Sequence, residues 1–218
     1  MKTDDQIKRD VQRELAWDTR TWNLAVQVGV LEGVVTLNGT VPSYAERIAA
    51  QNAAHRVQGV LDVANELVIK VKRPFSDEEI AHAIREALRW DATVPEQQIT
   101  STVSDGWVTL EGEVNSLSQC SETEWAVENL LGVKGVINNL KVVTAKADPD
   151  DLRTTIMQAL ERRADREAER LRIEVKDGEV DIYGRVHSWQ ERKAVVGSIV
   201  PTPGVRKIND KLRIDPYF

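Results

Sequence analysis

The sequence predicts an α+β fold built three times over, as three tandem α-β-β-α-β units, each a three-stranded mixed sheet with two helices on one face. Three observations predict it. A nine-residue stretch recurs in register: Gly33-Val34-Val35-Thr36-Leu37-Asn38-Gly39-Thr40-Val41, then Gly106 to Val114, then Gly178 to Val186. The first glycines of these stretches lie 73 and 72 residues apart, and repetition at a fixed period marks a tandem architecture. Leu15, Leu88 and Leu160 keep the same offsets, as do Ser43, Ser116 and Ser188, and Gly59, Gly132 and Gly204. Helix-start signals stand at matching places in every unit. The units are placed at residues 1–73, 74–146 and 147–218.

Each unit opens with a helix. Thr3-x-x-Gln6, Ser76-x-x-Glu79 and Asp148-Pro149-x-Asp151 put a short side-chain oxygen before an acidic or amide residue three positions on, the pattern of a capping box. Pro149 suits a first helical position. Apolar residues follow at helical spacing: Ile7, Val11, Leu15; Ile80, Ile84, Leu88; Leu152, Ile156, Leu160. A hairpin comes next. Val26, Val28 and Val30 alternate with other residues, as do Leu171, Ile173 and Val175, which reads as a half-buried strand. Asp105-Gly106 and Asp177-Gly178 mark tight turns with positive φ, and Glu32-Gly33 is a less favourable version. The second strand runs through Val35–Leu37, Val108–Leu110 and Val180–Ile182. A second helix opens with Ser43-x-x-Glu46, Ser116-x-x-Gln119 and Ser188-x-x-Glu191. It is expected to end near Gly59, Gly132 or Gly204, where a left-handed residue can stop it. A last strand carries Leu67-Val68-Ile69, Leu140-Lys141-Val142-Val143 and Leu212-Arg213-Ile214.

Composition excludes several classes. The chain has 29 basic and 35 acidic residues, a net charge of −6, which argues against nonspecific nucleic-acid binding. No apolar run approaches the roughly 20 residues that span a bilayer. The first residues lack the apolar stretch of a secretory leader, so the expected location is cytoplasmic, or periplasmic if a leader has been removed. The lone Cys120 excludes an internal disulfide. Charge is uneven: residues 74–146 hold 12 acidic and 5 basic side chains, against near-balance on either side. The mixed-sign run Glu161–Arg172 reads as a solvated helix end and loop.

Glycines closing a hairpin and following a second helix, in this order of elements, resemble the BON domain, over roughly residues 3–71, 76–144 and 148–215. The signature is the Gly33–Val41 stretch with its echoes, then Gly59-Val60-Leu61-Asp62-Val63-Ala64-Asn65, Gly132 to Asn138, and Gly204 to Asn209 taken as one residue shorter. The resemblance is to osmotically induced stress proteins of that family. It implies envelope or osmotic stress, phospholipid-surface binding as the activity most often proposed, and self-assembly, since the unit is similar in outline to ring-building domains of secretion systems.

No catalytic or metal-ligating constellation emerges, and an enzyme is not expected. His55, His82 and His187 fall at unrelated places in their repeats and read as packing or surface residues. A helix dipole could lower the pKa of Cys120 near a helix start, though a small helix residue is the plainer reading. The nine repeated glycines (Gly33, Gly39, Gly59, Gly106, Gly112, Gly132, Gly178, Gly184 and Gly204) take turn and bulge roles. Trp17 and Trp90, at equivalent helix ends, are expected to share a packing role. Trp107, Trp125 and Trp189 have no mutual equivalence, and these are the candidate exposed contacts. The expected function is a non-enzymatic module that binds a phospholipid membrane surface, a protein partner or copies of itself as a homo-oligomer, with no cofactor. The alternative is a potassium sensor, since backbone carbonyls can hold a monovalent cation without any side-chain signature.

Overall fold

The computed structural model describes residues 2–71, 73–145, 147–163 and 170–216; half of the run 161–172 and parts of both linkers lie outside them. The first unit contains α1 (Asp4–Trp17), β1 (Val26–Leu31), β2 (Val34–Val41), α2 (Tyr44–His55) and β3 (Asp62–Ile69). The second contains α3 (Asp77–Trp90), β4 (Ile99–Ser104), β5 (Trp107–Val114), α4 (Leu117–Glu128) and β6 (Gly135–Val142). The third contains α5 (Pro149–Arg163), β7 (Arg172–Lys176), β8 (Glu179–Val186), α6 (Trp189–Ile199) and β9 (Lys207–Ile214). In every sheet the middle strand pairs antiparallel with its hairpin partner and parallel with the third strand, so the second helix is the crossover. The α+β class with three mixed sheets is as the sequence predicts. The stripes Ile7-Val11-Leu15, Ile80-Ile84-Leu88 and Leu152-Ile156-Leu160 are buried, each in its own unit's core with strand residues such as Leu37, Leu110 and Ile182.

The helix starts differ in detail. Thr3 and Ser76 close full reciprocal boxes with Gln6 and Glu79. Ser43, Ser116 and Ser188 each accept from the third helical amide. The side chains of Gln119 and Glu191, however, reach one residue further back, to the amides of Asn115 and His187. Asp148 accepts from the amides of Asp150 and Asp151. The second helices stop at His55, Glu128 and Ile199, four or five residues before Gly59, Gly132 and Gly204. Those glycines do adopt positive φ, but in the turn beyond the helix and not as its cap. The third strands are longer than their last apolar residues suggest, because a polar inward residue interrupts the pattern: Asn65, Asn138 or Asp210. Each ties its strand to the second helix, Asn65 to the Arg47 carbonyl, Asn138 to the Cys120 carbonyl and Asp210 to the Arg192 guanidinium. Strand pairing aligns Leu37 with Asn65, Leu110 with Asn138 and Ile182 with Asp210. The third echo is therefore not shorter, and Asp210 holds the asparagine's place.

Both residues of every hairpin turn have positive φ: Glu32 and Gly33, Asp105 and Gly106, Asp177 and Gly178. The carboxylate of Asp4 accepts from the amides of Glu32 and Gly33, and that of Asp77 from Asp105 and Gly106. Pro149 stands at this place in the third unit and has no carboxylate to offer. Aspartate and asparagine tolerate left-handed backbone better than glutamate. Glu32→Asn is therefore expected to stabilise the first unit by about 0.5–1 kcal/mol, read as a rise in urea midpoint at unchanged slope. A lowered midpoint would show that Glu32 is not strained.

Candidate functional site

The first residue of each second helix is Tyr44, Leu117 or Trp189, and these are equivalent positions. None is counted with the core of its own unit. Tyr44 packs against the core of the second unit, Leu117 against that of the third, and Trp189 against that of the first. Three head-to-tail contacts made through one repeated position close a ring, the outcome of a heterologous interface whose rotation returns on itself. Since the seams are equivalent, matching residues of the three units sit at one level about the ring axis.

The seam between the third and first units is the most detailed. The Trp189 indole nitrogen donates to the Leu61 carbonyl at 3.1 Å, and its ring stacks on His55 with centroids 4.0 Å apart and planes 18° apart. Arg192 covers the indole at 4.7 Å. The Nε2 of His55 is buried and has no hydrogen-bond partner. Burial pushes the imidazole down to about 4, against a smaller upward pull from Asp62, while Arg192 and Lys193 push the same way as burial. Beside it, α2 and α6 enclose an open cleft of about 750 Å³ lined by His55, Trp189, Val196, Val200, Arg192 and Lys193. The place of His55 is taken in the second unit by Glu128. Burial and the nearby Glu124 push its carboxyl up, and Tyr44 is close enough to feel its charge. In the third unit that place is Val200. Across the seam between the second and third units, Arg206 donates to the Thr144 carbonyl.

The three tryptophans singled out from sequence do not come together. Trp189 is half-buried at a seam, which corrects its reading as an exposed contact: the ring already has a partner inside the chain. Trp107 is 48% exposed, and its ring lies over Gly135, its cross-strand partner, where a Cβ would meet ring carbons at 2.4 Å. Trp125, on α4, is 68% exposed. Trp17 and Trp90 are 81% and 83% exposed, so their expected packing role is also corrected. Each lies two residues past the last core leucine, about 200° around the helix from it, and so faces away from the sheet. Arg162 occupies the equivalent position on α5 and is exposed, and Trp22 is 66% exposed just beyond α1. Tyr44 and Leu117 were missed, and the role of Trp189 with them, because the three residue types differ; their shared position after the repeated serine, each with a large apolar surface, was the available signal.

Burial pushes the Cys120 thiol up, opposed in part by the Asn138 amide near its sulfur, so the helix start does not activate it. Glu14 of α1 and Asp18, the residue that ends it, bind Arg56 at 2.6 and 2.7 Å. Hydrogen bonds from Arg20 and from Arg56 hold the Asp18 carboxyl well below the usual carboxylate range. Among the described residues no cluster of histidine, cysteine and carboxylate side chains has the makings of a metal site, and no helix is long and apolar enough to cross a membrane.

Comparison with known proteins matches the BON domain model to residues 3–71, 76–144 and 148–216. Osmotically-inducible protein Y of Escherichia coli K12 is 31% identical over 144 residues, covering 63% of this chain and 72% of that protein. Among solved structures, CdsD, a structural protein of the type III secretion system of Chlamydia trachomatis, aligns at 12% identity with a TM-score of 0.28, covering 95% of this chain and 91% of that one. A CdsD C-terminal domain structure aligns at the same identity and TM-score, over 99% of this chain.

Proposed function

We propose a function from one premise: the chain belongs to the BON-domain family. The protein is a non-enzymatic docking module of envelope or osmotic stress, a setting suggested by the name of the osmotically inducible relative, and it docks on a phospholipid surface. The observation that carries this reading is the pair Trp17 and Trp90, both about four-fifths exposed at equivalent positions and hence at one level of the ring. Arg162 takes the third place and Trp22 lies nearby. Indole has an apolar body and a polar N–H, which suits the boundary between acyl chains and headgroups. A guanidinium at the same level can meet phosphate.

Net charge of −6 gives no long-range attraction to an anionic surface, so ring insertion has to supply the binding and salt should change it little. Trp17→Ala/Trp22→Ala/Trp90→Ala is expected to weaken vesicle binding at least tenfold, since the three buried indoles together contribute more than about 1.4 kcal/mol. The readout is flotation with phosphatidylcholine vesicles and the blue shift of tryptophan emission. Equal flotation of the triple variant and the parent would refute the reading, and so would binding abolished by moderate salt.

A further inference from the structure

Two of the three seams are bridged by short linkers, between β3 and α3 and between β6 and α5. The seam between the third and first units joins residues 128 positions apart through an indole that donates to a backbone carbonyl, and no strand pairing crosses it, since the three sheets share no strands. We propose that this seam is exchangeable: when it parts, Trp189 of one chain seats on the His55–Leu61 socket of a second copy, giving a closed dimer with two intermolecular seams in place of two internal ones. This inference is independent of the membrane reading.

The occupant is fixed by the geometry. A ring closed by one repeated head-to-tail contact presents, once opened, a plug at one end and its matching socket at the other, and the surface best fitted to each is the other end of an identical chain. Units keep their own cores, so opening exposes the plug and socket without unfolding a unit. Exchange of this kind is a low-cost route to dimers, and the internal contact prevails at low concentration because its effective concentration is high.

The seams also differ in their response to acid. At His55 a proton would join the cations Arg192 and Lys193 of α6 and Arg56 just past α2, which line the cleft, with Asp62 at the head of β3 and Asp210, already bonded to Arg192, as the opposing charges. At the equivalent place in the seam between the first and second units, Glu128 faces Glu124 and Tyr44, and a proton relieves repulsion. Acid thus parts the unlinked seam and leaves the linked one in place.

The test is complementation. Trp189→Ala keeps a socket and loses its plug, and His55→Lys keeps a plug and carries a fixed charge in its socket. Each alone, shown folded by circular dichroism, is expected to sediment as a monomer at 100 µM, and an equimolar mixture is expected to form a heterodimer containing one native seam. A mixture that stays monomeric, or single variants that dimerise as well as the mixture, would overturn the proposal. Should either variant not fold, the parent protein decides: acid loosens the same seam in monomer and dimer alike, so dimer formed at high concentration and then diluted should return to monomer at least threefold faster at pH 5 than at pH 7.5, and an unchanged rate, or no dimer at any concentration, would overturn it.

Discussion

Gly112→Ala is expected to unfold the middle unit at moderate temperature while the other two stay folded. Gly112 has φ near +134°, and a Cβ built on it would stand 2.0 Å from the Gln98 carbonyl oxygen and 3.1 Å from the Ile99 Cα. Both obstacles are backbone, so no side-chain rotation relieves them. The left-handed region and the clash together cost about 3 kcal/mol or more. For a unit of this size that corresponds to a fall in melting temperature of roughly 12 °C or more. Calorimetry should show one transition separating to lower temperature. Gly197 is the matching control: it lies in α6 with open space around its Cα, so Gly197→Ala should stabilise by about 0.5–1 kcal/mol. If both variants melt with the parent, the strand glycines are not close-approach positions.

The second large effect is acid sensitivity carried by His55. Its folded pKa lies near 4, below the ordinary 6.5, chiefly because burial disfavours the charged ring. The unfolded chain therefore takes up a proton that the folded one refuses. The associated stability is fully present above pH 6.5 and is lost as pH falls from there towards 4. The shift sets an upper limit of about 3 kcal/mol, which solvent screening of a half-exposed ring reduces to roughly 1–2 kcal/mol. The midpoint of urea unfolding of the first unit should drop between pH 7 and pH 5. His55→Phe, which keeps a ring to stack on Trp189, should remove most of that slope. An identical slope in His55→Phe would place the acid sensitivity elsewhere.

Much of the fold was legible because its signals act within a few residues. A serine or threonine before a helix, an Asp-Gly pair between alternating strands and a stripe such as Ile80-Ile84-Leu88 each follow from local geometry, and threefold repetition separates them from chance. The errors are local too. The polar Asn65 and Asp210 broke the alternation by which β3 and β9 would have been read from their starts, and they point inward because a second helix is there to bond them. Equivalence alone suggests that Trp17 and Trp90 pack, whereas the angle from Leu15 and Leu88 turns them outward. Trp107 is exposed as expected, but that its ring lies over the bare Gly135 across the strand and that Trp189 is half-buried were not legible, since one depends on strand register and the other on a different unit.

The sequence by itself determined three repeated units, their order of elements and the backbone positions that only glycine fills, because hydrogen bonding, φ preference and period are settled between near neighbours. Only the tertiary structure decided that the units close into a ring, that Tyr44, Leu117 and Trp189 are its joints, and that His55 and Glu128 occupy equivalent places at two different seams. Closure depends on the summed rotation from one unit to the next, a quantity to which every linker and interface contributes and which no single residue encodes.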